Sequence, residues 1–212
     1  MYQLYYYPNN ASLAPHFLLK HMGLEHQLIK VDRASNWHKS TDYLKLNPAG
    51  RIPALVIDGQ AMFESAAICV HLCELHPEHG LIPAVGTYAR AEFFQWIMYL
   101  TNTLQAELMV RYYPERHIKD PTLVDGVIAA QDERIVEALE VINQRLEKQP
   151  YLCGDALTAC DYFLFMLCEW SLVLTRSPVT FSALSAYLQK LSQNETIKTV
   201  CEIEGIDLSV FH

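Results

Sequence analysis

Polar and apolar positions change period partway along the chain. Up to Leu81, short β-rich runs alternate with short amphipathic ones; beyond it, apolar residues recur at helical spacing. Residues 3–7 form a tyrosine-rich strand pattern stopped by Pro8-Asn9-Asn10, a turn composition. Ser12 is placed to N-cap a helix over about 13–22, with Pro15 in its first turn and Gly23 as the terminating glycine. Residues 27–31 read as a second strand, 33–41 as a polar loop and 43–46 as a helical turn. Two further strands, 53–57 and 61–63, flank Asp58-Gly59-Gln60, a hairpin signal. Ser65 is then placed to cap a helix to about His76, which Pro77 ends.

The remaining pattern is helical. It predicts a long helix over 87–113 with Phe93, Phe94, Ile97, Leu100 and Leu104 largely on one side. Asp120-Pro121, a cap followed by proline, opens another to about 149. Thr158 and Asp161 have the spacing of a capping box, with Leu157 and Tyr162 placed as a hydrophobic staple. The helix they open, to about Leu174, is apolar on every side and belongs at the centre of a helical domain. Shorter helices follow over 181–191 and 195–204, the second ended by Gly205. The order β-α-β then β-β-α predicts an α/β thioredoxin-like domain over 1–81, a four-stranded mixed sheet with helices packed on it. An all-α domain over 87–212 follows, after a linker at 82–86.

Composition narrows the functional classes. The net charge is −8, with six Lys/Arg against seven Asp/Glu over 1–81 and ten against seventeen over 82–212. No basic stripe exists to attract nucleic acid. No apolar run approaches a membrane span, and the start lacks the pattern of a signal peptide. The six cysteines, at 69, 73, 153, 160, 168 and 201, have no framework spacing, so buried reduced thiols in a cytoplasmic protein are expected. His71, Cys73, His76 and His79 crowd one region, but helical spacing lets at most three converge, so a solvated helix end is expected rather than a metal site.

The chemistry concentrates in residues 47–59, Asn-Pro-Ala-Gly-Arg-Ile-Pro-Ala-Leu-Val-Ile-Asp-Gly, followed by Phe63-Glu64-Ser65. A proline at a strand's first position cannot donate to the ladder; if Ile52-Pro53 is cis, the Ile52 N–H and C=O are exposed to an incoming peptide backbone. The alternative is a proline that merely breaks a strand. Glu64-Ser65 sits where a strand meets a helix: either a cap alone, or an anion site beside a carboxylate able to take an ammonium. Tyr112, Tyr113, Trp96 and Trp170 are candidates to line an apolar pocket; core packing is the commoner fate of Trp96 and Trp170 at helical spacing, and for Tyr112 and Tyr113 both readings stand.

With Tyr5-Tyr6-Tyr7-Pro8, Ser12-Leu13-Ala14-Pro15-His16, the 47–55 stretch, Glu64-Ser65 and Gly154-Asp155-Ala156-Leu157-Thr158-Ala159-Cys160-Asp161 in this order, the chain resembles the glutathione transferases, nearest the bacterial beta class. The resemblance covers the whole chain. It implies a homodimer with a detoxification role, taking glutathione and a small hydrophobic electrophile, with glutathione as co-substrate and no other cofactor. It implies a cis bond at Ile52-Pro53, glutathione contacts at Ile52, Pro53, Glu64 and Ser65, and a position for Ala11 and Gln105 beside the ligand. The glycyl carboxylate needs a cation, from Arg51, Lys39 or His38. A free thiol has a pKa of about 8.5, and lowering it by two units requires roughly 2.7 kcal/mol of thiolate stabilisation. Ser12 is the first candidate donor, then Tyr6, then Asn10 or Asn9. The chain departs from the beta class where Ala11 replaces the active-site cysteine, Gln105 a histidine and Met98 an asparagine. Mixed-disulfide chemistry at position 11 is therefore absent. The expected activity is conjugation; a glutathione-dependent isomerase, reductase or peroxidase, or a non-catalytic binding or regulatory protein, are the alternatives.

Overall fold

The tyrosine run forms β1 (Tyr2–Tyr6), an inner strand of a four-stranded sheet, in a computed structural model that describes all 212 residues. The sheet also contains β2 (His26–Lys30), β3 (Ala54–Ile57) and β4 (Gln60–Phe63), ordered β2-β1-β3-β4. β1 pairs in parallel with β2 and antiparallel with β3, which pairs antiparallel with β4. This is the mixed sheet of a thioredoxin-like layer, as the element order predicts. The β3–β4 turn places Asp58 at φ 49 and Gly59 at φ 83, so two successive left-handed residues make the tight reversal that Asp-Gly favours.

Strand alternation separates the β1 side chains by face. Leu4 is fully buried and Tyr6 lies against the His16 ring, whereas Tyr5 packs with Trp37 and Tyr43. Helices α1 (Leu13–His21) and α3 (Ser65–Leu75) pack on each other; α2 (Thr41–Leu44) is a single turn capped by Ser40. The unit that contains the sheet comprises Met1–Ile82 together with Ser192–Ser209. The sequence pattern assigns that last segment to the helical domain. Its helix α9 (Glu195–Glu204) instead buries Ile197, Val200 and Cys201 and packs on α1. An amphipathic period states that a helix has a buried face, not which surface it will cover.

The second unit comprises Pro83–Leu191 and Val210–His212. Its long first helix starts where Thr87 accepts a hydrogen bond from the Arg90 N–H, as α4 (Tyr88–Tyr99). It widens to a π-helical stretch, Leu100–Gln105, and returns to α5 (Ala106–Tyr112). Asp120-Pro121 caps one 3-10 turn, Pro121–Leu123, which leads into α6 (Val124–Leu146). Helix α7 (Ala159–Trp170) buries every residue except Glu169, as its all-round apolar pattern requires. Helix α8 (Ser182–Ser192) follows. No helix is long and apolar enough to cross a membrane. All six cysteines are free and buried.

The Thr158–Asp161 capping box forms, and Asp161 does more than cap. Its fully buried carboxylate accepts from Leu152 N at 2.9 Å, Thr158 N at 2.7 Å, Thr158 Oγ1 at 2.9 Å and Tyr187 Oη at 2.6 Å. It thus ties α7 to the preceding loop and to α8. Asp161→Ala strands these donors in the core and is expected to cost about 3 kcal/mol or more in urea unfolding. A loss under about 1 kcal/mol would show that the donors find other acceptors.

Candidate functional site

Register fixes the location of the site. Tyr5 pairs with Ala54, and Ala54 with Phe63. The C-terminal end of β1, the entry to β3 and the exit of β4 therefore lie together at one end of the sheet. Three segments are gathered there: the loop over 7–12, the loop over 47–53, and Glu64-Ser65 at the head of α3.

The 47–53 loop is braced from inside. Asn47, which is 3% exposed, donates from Nδ2 to the carbonyls of Arg51 at 2.7 Å and Pro53 at 3.2 Å. Its Oδ1 accepts from Ala49 N at 3.0 Å, and the buried Tyr43 hydroxyl also donates to Arg51 O at 2.8 Å. Between those two held carbonyls, the Ile52 N–H and C=O have no partner in the chain. The Ile52-Pro53 bond is cis. The Ile52 side chain packs with Tyr5, Trp37 and Leu46 against buried Val31, Tyr43 and Ala54. Its backbone polar groups are left to bond elsewhere, and an unpaired N–H and C=O pair on one residue is the element that an added strand uses.

The Gly50 φ of 57 turns this loop, and a Cβ there would meet the His38 carbonyl at 2.9 Å. Lys39 Nζ donates to Gly50 O at 2.7 Å, so it braces the loop while remaining exposed. The Arg51 side chain is exposed. Burial, and then the Lys39 and Arg33 cations, push the His38 pKa below the usual imidazole value. That shift disfavours the charged imidazole beside the Lys39 and Arg33 cations.

At the head of α3 the preceding residue is Glu64, exposed and held at φ 73, ψ 108; Ser65 is the first helical residue rather than the cap. A side chain in this sparsely populated region is held there by its surroundings. The Ser65 hydroxyl, nearly buried, donates to Ala11 O at 2.6 Å. This bond joins the β1–α1 loop to the anion-attracting end of α3.

The candidate donors are placed unequally. Ser12 does not cap α1 through its side chain. Its hydroxyl is fully buried, donates to Tyr7 O at 3.2 Å and accepts from Tyr7 N at 3.3 Å, which leaves no hydroxyl proton for a ligand. The Ser12 main-chain N–H, at the start of α1, has no acceptor in the chain. Tyr6 lies on the face of β1 opposite Tyr5 and its Ile52 cluster, with its phenol pKa raised by burial and then by the Glu204 carboxylate. Asn10 is half-buried in the loop; its Oδ1 accepts from Ala11 N at 2.9 Å, and its Nδ2 is unpaired. Asn9, at φ 52, gives its N–H to Glu204 Oε2 at 2.9 Å. Gln105 ends the π-helical stretch of the second unit.

Two features were not assigned from sequence. Asn47 lies within the motif, but its bracing role depends on where the chain doubles back. Glu204 is 195 residues from its partner Asn9, and nothing local points to it. Elsewhere, Trp96 is buried in α4, and Tyr112 reaches the Trp170 carbonyl through its hydroxyl at 2.5 Å, joining α5 to the end of α7. No group of three or more His, Cys, Asp or Glu residues is arranged to hold a metal ion.

Residues 11–75 match the family model for the glutathione S-transferase N-terminal domain, and residues 125–190 that for its C-terminal domain. A glutathione S-transferase of Xanthomonas campestris pv. campestris, GST-4.5, is 28% identical over 205 residues, 97% of this chain and 100% of that protein. Among solved structures, a ternary complex of BphK, a bacterial GST, is 30% identical with a TM-score of 0.85 and covers 96% of this chain and 100% of its own. A sphingomonad glutathione S-transferase complexed with glutathione is 26% identical with a TM-score of 0.85, covering 97% and 100%. Two family models in the expected order, and 30% identity across the full length of a solved relative, agree with the geometry: the chain belongs to the glutathione S-transferase family.

Proposed function

We propose that this protein conjugates glutathione, as its thiolate, to small apolar electrophiles. The observation that carries the reading is the unpaired Ile52 N–H and C=O at the same end of the sheet as Glu64 and Ser65. Glutathione is an extended tripeptide with two carboxylates, an ammonium and a thiol, and each group has a counterpart there. Its backbone adds to Ile52 beside Pro53. Its γ-glutamyl carboxylate meets the first main-chain N–H groups of α3, that of Ser65 among them, and its ammonium meets Glu64. The glycyl carboxylate meets Arg51, whose guanidinium is not already bracing the loop as the Lys39 ammonium is. Known relatives support the reading, including the sphingomonad enzyme described as complexed with glutathione.

Activation falls to the β1–α1 loop. With the Ser12 hydroxyl engaged by Tyr7 and Tyr6 turned to the other face, the donors left are the Ser12 main-chain N–H and the Asn10 side-chain amide at the N-terminus of α1. The thiolate then attacks the electrophilic carbon; a leaving group departs with the bond's electron pair, or an activated double bond accepts the sulfur and then a proton. Orientation and thiolate stabilisation suffice, and no residue forms a covalent intermediate. Neither Ala11 nor Gln105 supplies a nucleophile. The same reading carries a cytoplasmic homodimer with a detoxification role. A second reading, binding without turnover, is favoured by the engaged Ser12 hydroxyl and the absent cysteine at position 11.

Retention on immobilised glutathione, then ultraviolet titration of the bound thiol, separates the readings. Conjugation requires retention and a bound pKa about two units below the free value of about 8.5. Retention with an unshifted thiol supports the binding protein, and no retention rejects both. Ser65→Ala removes the tether from the head of α3 to Ala11 O, and is expected to weaken glutathione binding about tenfold, near 1.4 kcal/mol, in a direct titration. Ser12→Ala keeps the main-chain N–H, so the bound thiol pKa is expected to hold while stability falls by about 1 kcal/mol. A folded Ser12→Ala protein whose bound thiol returns to its free pKa would instead make the hydroxyl the donor.

A further inference from the structure

The second unit holds two thiols side by side that no step of the conjugation uses. Cys153 lies in the loop before α7, and Cys160 is the second residue of that helix. The hydrogen bonds that anchor the loop also set their spacing. Leu152 N donates to Asp161 Oδ1 at 2.9 Å, so Cys153 and Cys160, the chain neighbours of this bonded pair, are brought together. The Leu152 carbonyl accepts from Arg145 Nε at 3.0 Å. Tyr151 and Gly154 exchange both main-chain hydrogen bonds, at 3.1 and 3.3 Å, with Gly154 at φ 116. Cys153 is thus held inside a tight turn, and its thiol is in hydrogen-bond contact with that of Cys160. Cys160 in turn donates its S–H to Phe93 O of α4 at 3.4 Å.

We propose that Cys153 and Cys160 form a hydroperoxide-responsive dithiol, whose oxidation straps the 151–154 turn covalently to the first turn of α7. Accessibility assigns the order of reaction. Cys153 is 8% exposed, whereas the other five cysteines are 0% exposed. Burial, and then Cys153 beside it, push the Cys160 thiol well above its usual pKa, so it is a poor first nucleophile. The Cys153 sulfur, as thiolate, attacks one peroxide oxygen. The O–O bond breaks, the other oxygen leaves with its electron pair and takes a proton as alcohol or water, and Cys153 becomes a sulfenic acid. The Cys160 sulfur then attacks the Cys153 sulfur and gives its proton to the departing hydroxyl; water leaves and the disulfide forms. Two thiols are oxidised by two electrons, and one hydroperoxide is reduced to alcohol and water. A disulfide needs its sulfurs about 2.05 Å apart, which a pair already in hydrogen-bond contact reaches by small shifts. Cys69 and Cys73 are also neighbours, one turn apart in α3, but neither is exposed, so that pair stays reduced.

Treating the folded, unmodified protein with hydrogen peroxide tests the pair without any variant. The intact mass is expected to fall by about 2 Da, the loss of two hydrogens, and dithiothreitol to restore it. Cleavage before aspartate separates residues 132–154 from residues 155–160, fragments that hold Cys153 and Cys160 and no other cysteine. In the oxidised protein these two fragments are expected to be joined. C153S is expected to lower the rate of peroxide consumption by the folded protein about tenfold or more. The linked protein is expected to melt about 5 °C higher than the reduced one, because the link restricts the unfolded chain. Four results overturn the proposal: no reaction below denaturing conditions, Cys153 carried to sulfinic acid with no joined fragments, a link that uses another pair of cysteines, or a folded C153S protein that consumes peroxide as fast as the parent. An equal or lower melting midpoint in the linked protein overturns the strap. Neither the oxidation nor its mapping requires glutathione turnover, so failure of the conjugation reading leaves this test intact.

Discussion

The antiparallel register through Tyr5, Ala54 and Phe63 is the constraint on which the first unit's chemistry depends. A slip of one residue would exchange the faces of a whole strand. Leu4 would leave the core, and Ile52 would no longer sit level with Glu64-Ser65. Because Leu4 is fully buried on one sheet face, such a slip is strongly disfavoured. The site is thus a by-product of core packing: the loops that bear it are irregular, but their roots are not free to move.

Within that frame the polar groups divide into those that build the site and those that remain open. Asn47, the Tyr43 hydroxyl and the Lys39 ammonium all spend their hydrogen bonds on main-chain carbonyls of the 47–53 loop. The Ser12 hydroxyl is spent on Tyr7 and the Ser65 hydroxyl on Ala11. What remains open is mostly main chain: Ile52 on one side, the Ser12 N–H on the other. On the proposed reading, such a site takes a peptide by its backbone and charged ends, and it suits a ligand whose chemistry resides in its own thiol. In the second unit Asp161 has the opposite character, since its carboxylate is wholly occupied and its role is to fix α7.

Much of the fold was legible because the signals were local. The Asp58-Gly59 reversal, the Thr158–Asp161 capping box and the all-round apolar α7 each rest on residues within a few positions of one another. The Asn-Pro-Ala-Gly-Arg-Ile-Pro stretch and Glu64-Ser65 carried the family resemblance for the same reason. Ser12 shows the limit of that reasoning. Its place before an apolar helix is that of a cap, yet Tyr7, reached by the turn of the loop, offers a donor and an acceptor to the same hydroxyl and takes it.

The amino-acid sequence determined the elements, their order, the mixed sheet, the helical second half and the family, because periodicity and capping are short-range properties. Tertiary structure decided which face of β1 Tyr6 would occupy relative to Ile52, where Ser12 would spend its hydrogen bonds, and that α9 would return to the first unit to deliver Glu204 to Asn9 and His16. These depend on contacts between residues up to 195 positions apart, which form only when burial brings their elements together.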